Sequence, residues 1–167
     1  MDIQSAIIAL SLILISVAPF YVMIRNNKKK ANEFLNTLQE MARENSRNID
    51  QHDIWNHAAI GTDPQFDMVF FVKKTKEGST QQHIPLADIQ RTRVINSTRS
   101  VTTNNGRFNV TDKIELAFSF QDRTKSEMLL NFFDVNTDGL SVTKELRMAE
   151  KWAELINAKI NHYSLVS

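Results

Sequence analysis

The chain has 167 residues, with 20 Lys and Arg against 19 Asp and Glu, so its formal net charge at pH 7 is +1. This balance argues against a nucleic-acid partner, because phosphate binding requires a basic face. The absence of cysteine excludes disulfides, thiol catalysis and cysteine-ligated zinc, and it suits a reducing compartment.

The first 24 residues predict a transmembrane anchor. No charged side chain occurs from Ile3 to Ile24, and 22 residues at helical rise cover about 33 Å, enough for the hydrocarbon core of a bilayer. A cleavable signal peptide is the alternative, but it requires positive charge before a shorter apolar core. Only Asp2 precedes this core, so we expect a retained anchor over residues 1–24.

Basic residues follow the apolar stretch at once. They are Arg25, Lys28, Lys29 and Lys30. Positive charge favours the cytoplasmic side, so we expect a single-pass protein of the cytoplasmic membrane with its N-terminus outside and the rest of the chain in the cytoplasm. The same four side chains are candidates for contact with anionic lipid at the membrane interface.

The beginning of the remaining chain predicts one amphipathic helix. Residues 25–48 are interpreted as a basic juxtamembrane segment that leads into a helix over Ala31 to Glu44. Its apolar positions follow the helical period and predict packing against the domain that follows. They are Ala31, Phe34, Leu35, Leu38, Met41 and Ala42.

From residue 49 the pattern changes to short alternating runs, which predict about seven strands. The clearest hairpin joins the last two strands through Gln121–Thr124. Thr98 to Asn109 is interpreted as a polar loop with a turn at Asn104-Asn105-Gly106. The predicted strands are Ile49–Trp55, Ala58–Asp63, Met68–Lys74, Gln82–Leu86, Ile89–Asn96, Lys113–Phe120 and Met128–Phe133.

A last amphipathic helix is predicted from Val142 to Tyr163. We expect it to close one end or face of the antiparallel strands, which gives an α+β fold. Its apolar stripe consists of Leu146, Ala149, Trp152, Ala153, Ile156 and Ile160.

The hairpin of Ile114–Phe120 and Met128–Phe133, followed by the helix around Trp152 (149–156), resembles a pleckstrin-homology-like (PH-like) barrel of roughly seven strands. The arrangement is similar to small membrane-anchored bacterial PH-like proteins. The resemblance covers about residues 49–163, and the predicted domain comprises residues 49–167. The resemblance implies binding and scaffolding without catalysis. Members that bind phosphoinositides carry a basic motif between the first two strands, whereas Asp53–His57 lacks one, so no specific phosphoinositide is expected.

One motif points to a metal. The run Asp134 to Gly139, followed by Glu145, matches the calcium-loop pattern D-x-[DN]-x-[DN]-G-x5-E. However, Met128–Phe133 before it is predicted to be a strand, where an EF-hand requires a helix. The alternative is a polar turn that caps the last helix. The calcium ligands would be Asp134, Asn136, Asp138, the Leu140 carbonyl and Glu145.

These observations favour an accessory or scaffold subunit of a membrane protein complex. The candidate partner surfaces are the polar loop and the sheet edge near Ile89–Asn96, with Arg91 and Arg93. A calcium-responsive sensor and a membrane-bound enzyme are the alternatives. No catalytic motif or metal-binding spacing of histidines occurs, so no enzyme and no cofactor besides Ca²⁺ are predicted. Trp55 fits either an exposed binding aromatic or a core residue.

Overall fold

The computed structural model describes residues 25, 28–103, 106–139, 142 and 144–166. The anchor predicted at Ile3–Ile24 lies outside these residues, as do Asn104, Asn105 and Leu140. Within the described residues, no helix combines the length and apolar character that crossing a bilayer requires.

The described chain contains a long helix at each end and seven strands between them. A short 3-10 helix at Leu86–Asp88 connects β4 to β5. The elements are α1 (28–44), β1 (Gln51–Trp55), β2 (Ala58–Thr62), β3 (Met68–Thr75), β4 (Gly78–Pro85), β5 (Ile89–Thr103), β6 (Gly106–Phe120), β7 (Met128–Asp134), α2 (Val135–Asp138) and α3 (Glu145–Val166).

The seven strands form two antiparallel sheets, which confirms the α+β class and the strand number. The first sheet has the order β1-β2-β3-β4 and the second has β5-β6-β7. A closed barrel is not found, because no ladder joins the two sheets within the described residues. The chain leaves β4 at Pro85, which has no N–H to donate, and turns through the 3-10 helix before β5 begins the second sheet.

The main core lies between the two sheets and is closed by α3. Trp152 of α3 is fully buried, and its Nε1 donates to Asp53 Oδ2 at 2.9 Å. Trp55 is also a core residue, because its ring stacks on Phe132 at 4.7 Å and its Nε1 donates to the Phe132 carbonyl. The core interpretation of Trp55 is therefore correct. Other members include Ile60, Phe71, Ile84, Leu116, Phe118, Leu130, Ala149 and Ile156.

The helix α1 covers the opposite face of the first sheet, as its apolar stripe predicted. Leu38 is fully buried in a second cluster with Phe70 and Val72 of β3. Because Val69 and Phe71 face the main core instead, β3 is buried on both faces and its sequence is a continuous apolar run. The cluster consists of Phe34, Leu38, Met41, Ala42, Ala59, Phe70 and Val72.

The polar loop predicted over Thr98 to Asn109 is wrong. β5 and β6 continue as paired strands through this region, and the ladder ends only at Thr103 opposite Gly106. Within the described residues no third strand pairs with this part of β5 and β6, so few of its side chains face a core and its sequence is mostly polar. Thr103 is opposite Gly106, which has a φ of +126°, and the two asparagines of the predicted turn between them lie outside the described residues.

Candidate functional site

The segment with the calcium-loop pattern does not have an EF-hand context. A strand, β7, leads into it, and Asp134 at the end of that strand caps the short helix α2. Asp134 Oδ1 accepts hydrogen bonds from the backbone N and the Nδ2 of Asn136, at 2.9 and 3.0 Å. The first two predicted ligands are therefore engaged with each other in an N-cap.

Asp138, the third predicted ligand, forms an ion pair with the side chain of Lys73. Its Oδ2 accepts from Lys73 Nζ at 2.6 Å and from the Asp134 backbone N at 2.9 Å. The side chains of Lys73 and Asp138 are each only 5% exposed. Lys73 Nζ also donates to Asn131 Oδ1 at 2.9 Å, so the buried ammonium has two oxygen partners from the segment around β7.

Glu145, the last predicted calcium ligand, begins α3 and is 1% exposed. Its Oε2 accepts from the Lys144 backbone N at 2.9 Å, and its Oε1 accepts from Asn56 Nδ2 in the β1–β2 turn. Within the described part of the chain, no three His, Asp or Glu side chains gather where they could hold a metal ion. The structure thus does not bring Asp134, Asp138 and Glu145 together as one ligand set.

Sequence reasoning missed Lys73. It directly follows the apolar run Met68–Val72, and a lysine that continues such a buried strand could have indicated an acidic partner within the fold. The resulting polar group of Lys73, Asp138 and Asn131 lies close to the stacked rings of Trp55 and Phe132.

The two predicted partner-binding residues lie on the outer face of the second sheet. Arg91 and Arg93 are exposed on β5, and Arg93 pairs with Glu127 at 2.5 Å. Arg93 is opposite Ala117, which is opposite Leu129, so these three residues form one row across the sheet. Leu129 is 41% exposed. The outer face of the second sheet therefore presents an apolar side chain beside two cationic ones.

Glu127 holds Arg93 in place on this face and is itself bound by Ser119. The Ser119 hydroxyl donates to Glu127 Oε1 at 2.6 Å and is the main cause that lowers the pKa of this carboxyl, with Arg93 and Arg91 adding to the effect. Because the carboxylate is favoured over the acid, its bond to Arg93 persists into mildly acidic solution.

The edge of β5 that was predicted to be open is occupied at its centre. Asn157 of α3 accepts from the Thr92 backbone N at 2.8 Å and donates through Nδ2 to the Thr92 carbonyl at 2.9 Å. A side-chain amide thus replaces the backbone of a neighbouring strand. The prediction of a free edge near Ile89–Asn96 is therefore wrong at Thr92, because α3 packs along it.

Two grooves open on the surface that the structure describes. One, of about 440 Å³, lies between the start of α1 and the β1–β2 turn, beside Phe34 and His57. The other, of about 210 Å³, lies between the first sheet and β7, where Thr80 and Gln82 face Leu129. Neither was indicated by the sequence, since each combines residues from distant parts of the chain.

The outer parts of β5 and β6 form a two-stranded arm. We call this arm, comprising Thr98–Thr103 and Gly106–Asp112, the ribbon. It extends past β7, whose last paired residue, Asp134, is opposite Lys113 at the base of the ribbon. Phe108 in the ribbon is 52% exposed.

Comparisons with known proteins identify no relative. No protein family matches the sequence, and no curated protein or solved structure shows significant similarity to it.

Proposed function

We propose that this chain is a single-span membrane protein that presents a PH-like binding domain at the cytoplasmic face, as an accessory or scaffold subunit of a membrane protein complex. The observation that carries this proposal is the packing of α1. Phe34 and Leu38 are buried against the first sheet, and Phe34 is 10 residues after Ile24, where the apolar stretch ends. The predicted anchor thus leads into a helix that is part of the domain, so the domain is held close to the bilayer.

The arrangement of the strands supports the PH-like assignment. Four strands and three strands enclose one core, and a C-terminal helix fills its open end with Trp152. PH-like domains act by binding, and a core occupied by large aromatic side chains directs binding to the surface. Tethering such a surface to a membrane raises its effective concentration for partners in the same membrane.

The outer face of the second sheet is the proposed surface for the protein partner. The corresponding face of the first sheet is covered by α1, whereas Arg91, Arg93 and Leu129 remain exposed. An apolar centre with a charged rim is typical of protein interfaces. The two arginines favour a partner that presents carboxylates.

Neither alternative function gains support from the described residues. Lys73 forms an ion pair with Asp138 of the calcium-loop segment. An EF-hand sensor would need this carboxylate as a calcium ligand. No catalytic motif was found in the sequence, and the core position of Trp55 removes the one aromatic that we considered for a binding site.

Anchoring and orientation are tested on the full chain. Expressed in bacteria, the protein should remain in the membrane fraction after alkaline carbonate washing, and a reporter that is active only in the periplasm should be silent when fused to the C-terminus. A variant without residues 1–24 is the control and should be released. Periplasmic reporter activity would overturn the orientation, and carbonate release of the full chain would overturn the anchor.

The partner surface is tested by detergent pull-down and mass spectrometry. We expect the full chain to recover a membrane protein that the anchor segment alone does not recover, and Arg91→Glu with Arg93→Glu to lose it. The matched control reverses two exposed charges elsewhere, with Lys76→Glu and Arg123→Glu. Equal recovery by both double variants would exclude this face, and recovery of nothing above the anchor-only sample would contradict scaffolding.

A further inference from the structure

The ribbon has one apolar and one polar face. Val101 pairs with Phe108 and Arg99 pairs with Val110, and residues two apart on a strand share a face. The opposite face carries Ser100 paired with Asn109, whose side chains are 2.9 Å apart, and Thr102 paired with Arg107. Within the described residues no third strand pairs with the ribbon, and Phe108 on its apolar face is 52% exposed.

The base of the ribbon lies at the same end of the domain as the first turns of α1. Asp134 ends β7 opposite the ribbon base, and its backbone N bonds the carboxylate that holds Lys73 of β3. The next residue of β3, Lys74, pairs with Glu33 of α1 at 3.3 Å and lies 5.0 Å from the centre of the Phe34 ring. This chain of contacts connects the ribbon base to the part of α1 nearest the predicted anchor.

The ribbon is long enough to reach a membrane at that end. From Gly106 to Asp112 it has seven residues, which span about 23 Å at the usual strand rise. The helix α1 needs only about 9 Å from Lys28 to its first buried contact at Phe34. A bilayer that begins at the basic residues before α1 therefore lies within the length of the ribbon.

The charges of the ribbon fit an anionic surface. It carries two arginines, Arg99 and Arg107, and one acid, Asp112, which pairs with Arg99 at 3.0 Å. The side chains of Arg25 and 28–30 before and at the start of α1 are also exposed and basic. Cationic groups beside an exposed aromatic are the composition that binds lipid headgroups and places an apolar side chain at the acyl boundary.

We propose that the ribbon is a second membrane contact, in which Phe108, with Val101 and Val110, enters the interface of the bilayer that holds the anchor. This inference rests on the proposed membrane anchoring of residues 1–24. Two attachments would restrict rotation of the domain about α1 and hold the outer face of the second sheet in one orientation toward a partner in the membrane.

The test uses tryptophan fluorescence of the full chain in lipid nanodiscs. The native Trp55 and Trp152 are 5% and 0% exposed, so they supply a constant background. Phe108→Trp places a reporter on the apolar face, and Asn109→Trp is the matched control on the polar face of the same strand. Each is measured in nanodiscs with lipids brominated near the top of the acyl chain or near its end, with and without anionic lipid.

We expect the emission of Phe108→Trp to be blue-shifted relative to that of Asn109→Trp and to be quenched more strongly than the wild type, most of all with bromine near the top of the chain and with anionic lipid present. Asn109→Trp should be quenched no more than the wild type. Emission of Phe108→Trp that is unquenched by both lipids would overturn the inference, as would a blue shift without quenching, which indicates burial against protein. Co-elution of the chain with the nanodisc reports the anchor separately, so failure of the ribbon and failure of the anchor give different results.

Discussion

Lys73 of β3 and Asp138 of α2 form a buried ion pair, with Nζ and Oδ2 2.6 Å apart. The pair connects the first sheet to the segment after β7, across 65 residues of sequence. Asn131 Oδ1 and the Asp134 backbone N add one further hydrogen bond to each of the two charged groups. These hydrogen bonds and the ion pair offset the cost of burying two charged side chains away from water.

Removal of the ammonium should destabilise the protein strongly. Lys73→Met leaves the Asp138 carboxylate buried without its cation, and breaking such a pair costs about 3–5 kcal/mol. Chemical denaturation of the full chain in detergent, followed by tryptophan fluorescence, measures the loss. Adding Asp138→Leu to Lys73→Met should recover much of it. The control Lys74→Met removes an exposed pair with Glu33 and should cost about 1 kcal/mol or less; equal effects of both methionine variants would contradict the buried-pair argument.

Calcium should not stabilise the protein. A ligand that binds only the native state raises the melting temperature, but Asp138 is held by Lys73 and Asp134 caps α2. The melting temperature should therefore be the same in millimolar calcium, in equal magnesium and with chelator. A rise that is specific to calcium and disappears in Asp134→Asn would show that the segment binds the metal after all.

Asn157 should be needed to hold α3 on β5. Asn157→Ala removes both bonds to Thr92 and leaves a backbone donor and acceptor unsatisfied, which costs about 1–3 kcal/mol. Faster hydrogen exchange at the Thr92 amide would report local opening of this edge. Glu154→Ala, at an exposed position of the same helix, is the control. Unchanged exchange at Thr92 in Asn157→Ala would disprove the role of this side chain as an edge cap.

The Arg93–Glu127 pair should weaken only in acid. The Ser119 hydroxyl, followed by Arg93, holds the pKa of Glu127 below its ordinary value of 4.5. A lowered native pKa contributes stability that is complete above the unfolded value and is lost as the pH falls through the native one. Carboxyl NMR titration should show Ser119→Ala raising the pKa of Glu127. The same titration with Thr124→Ala, which removes a bond to Asp122 instead, should leave Glu127 unchanged; a pKa of Glu127 unaffected by Ser119→Ala would contradict the assignment.

Much of the fold was predictable because its signals are local. The stripes around Leu38 and Trp152 repeat with the helical period, and both helices pack by those stripes. The alternation of Ile114, Leu116 and Phe118 likewise predicted the central strand of the second sheet. In each case the residue pattern records directly which face is buried.

The candidate sites were less predictable because they depend on contacts between distant residues. The calcium-loop pattern around Asp138 is a local match, but its partner Lys73 comes from another sheet. In the part of the chain that the structure describes, no third strand pairs with the ribbon. Its sequence is therefore mostly polar, and Thr98–Thr103 shows no hydrophobic alternation that would predict a strand.

The sequence by itself determined the α+β class, the seven strands and the two amphipathic helices, and it predicted the anchor at Ile3–Ile24. These follow from periodicity and from the length of apolar runs, which each segment carries alone. Only the tertiary structure decided that the strands form two sheets, that Lys73 neutralises Asp138, that Asn157 occupies the β5 edge and that Phe108 stands on a projecting ribbon. Each of these depends on which distant surfaces meet, and burial and pairing of that kind are properties of the assembled fold.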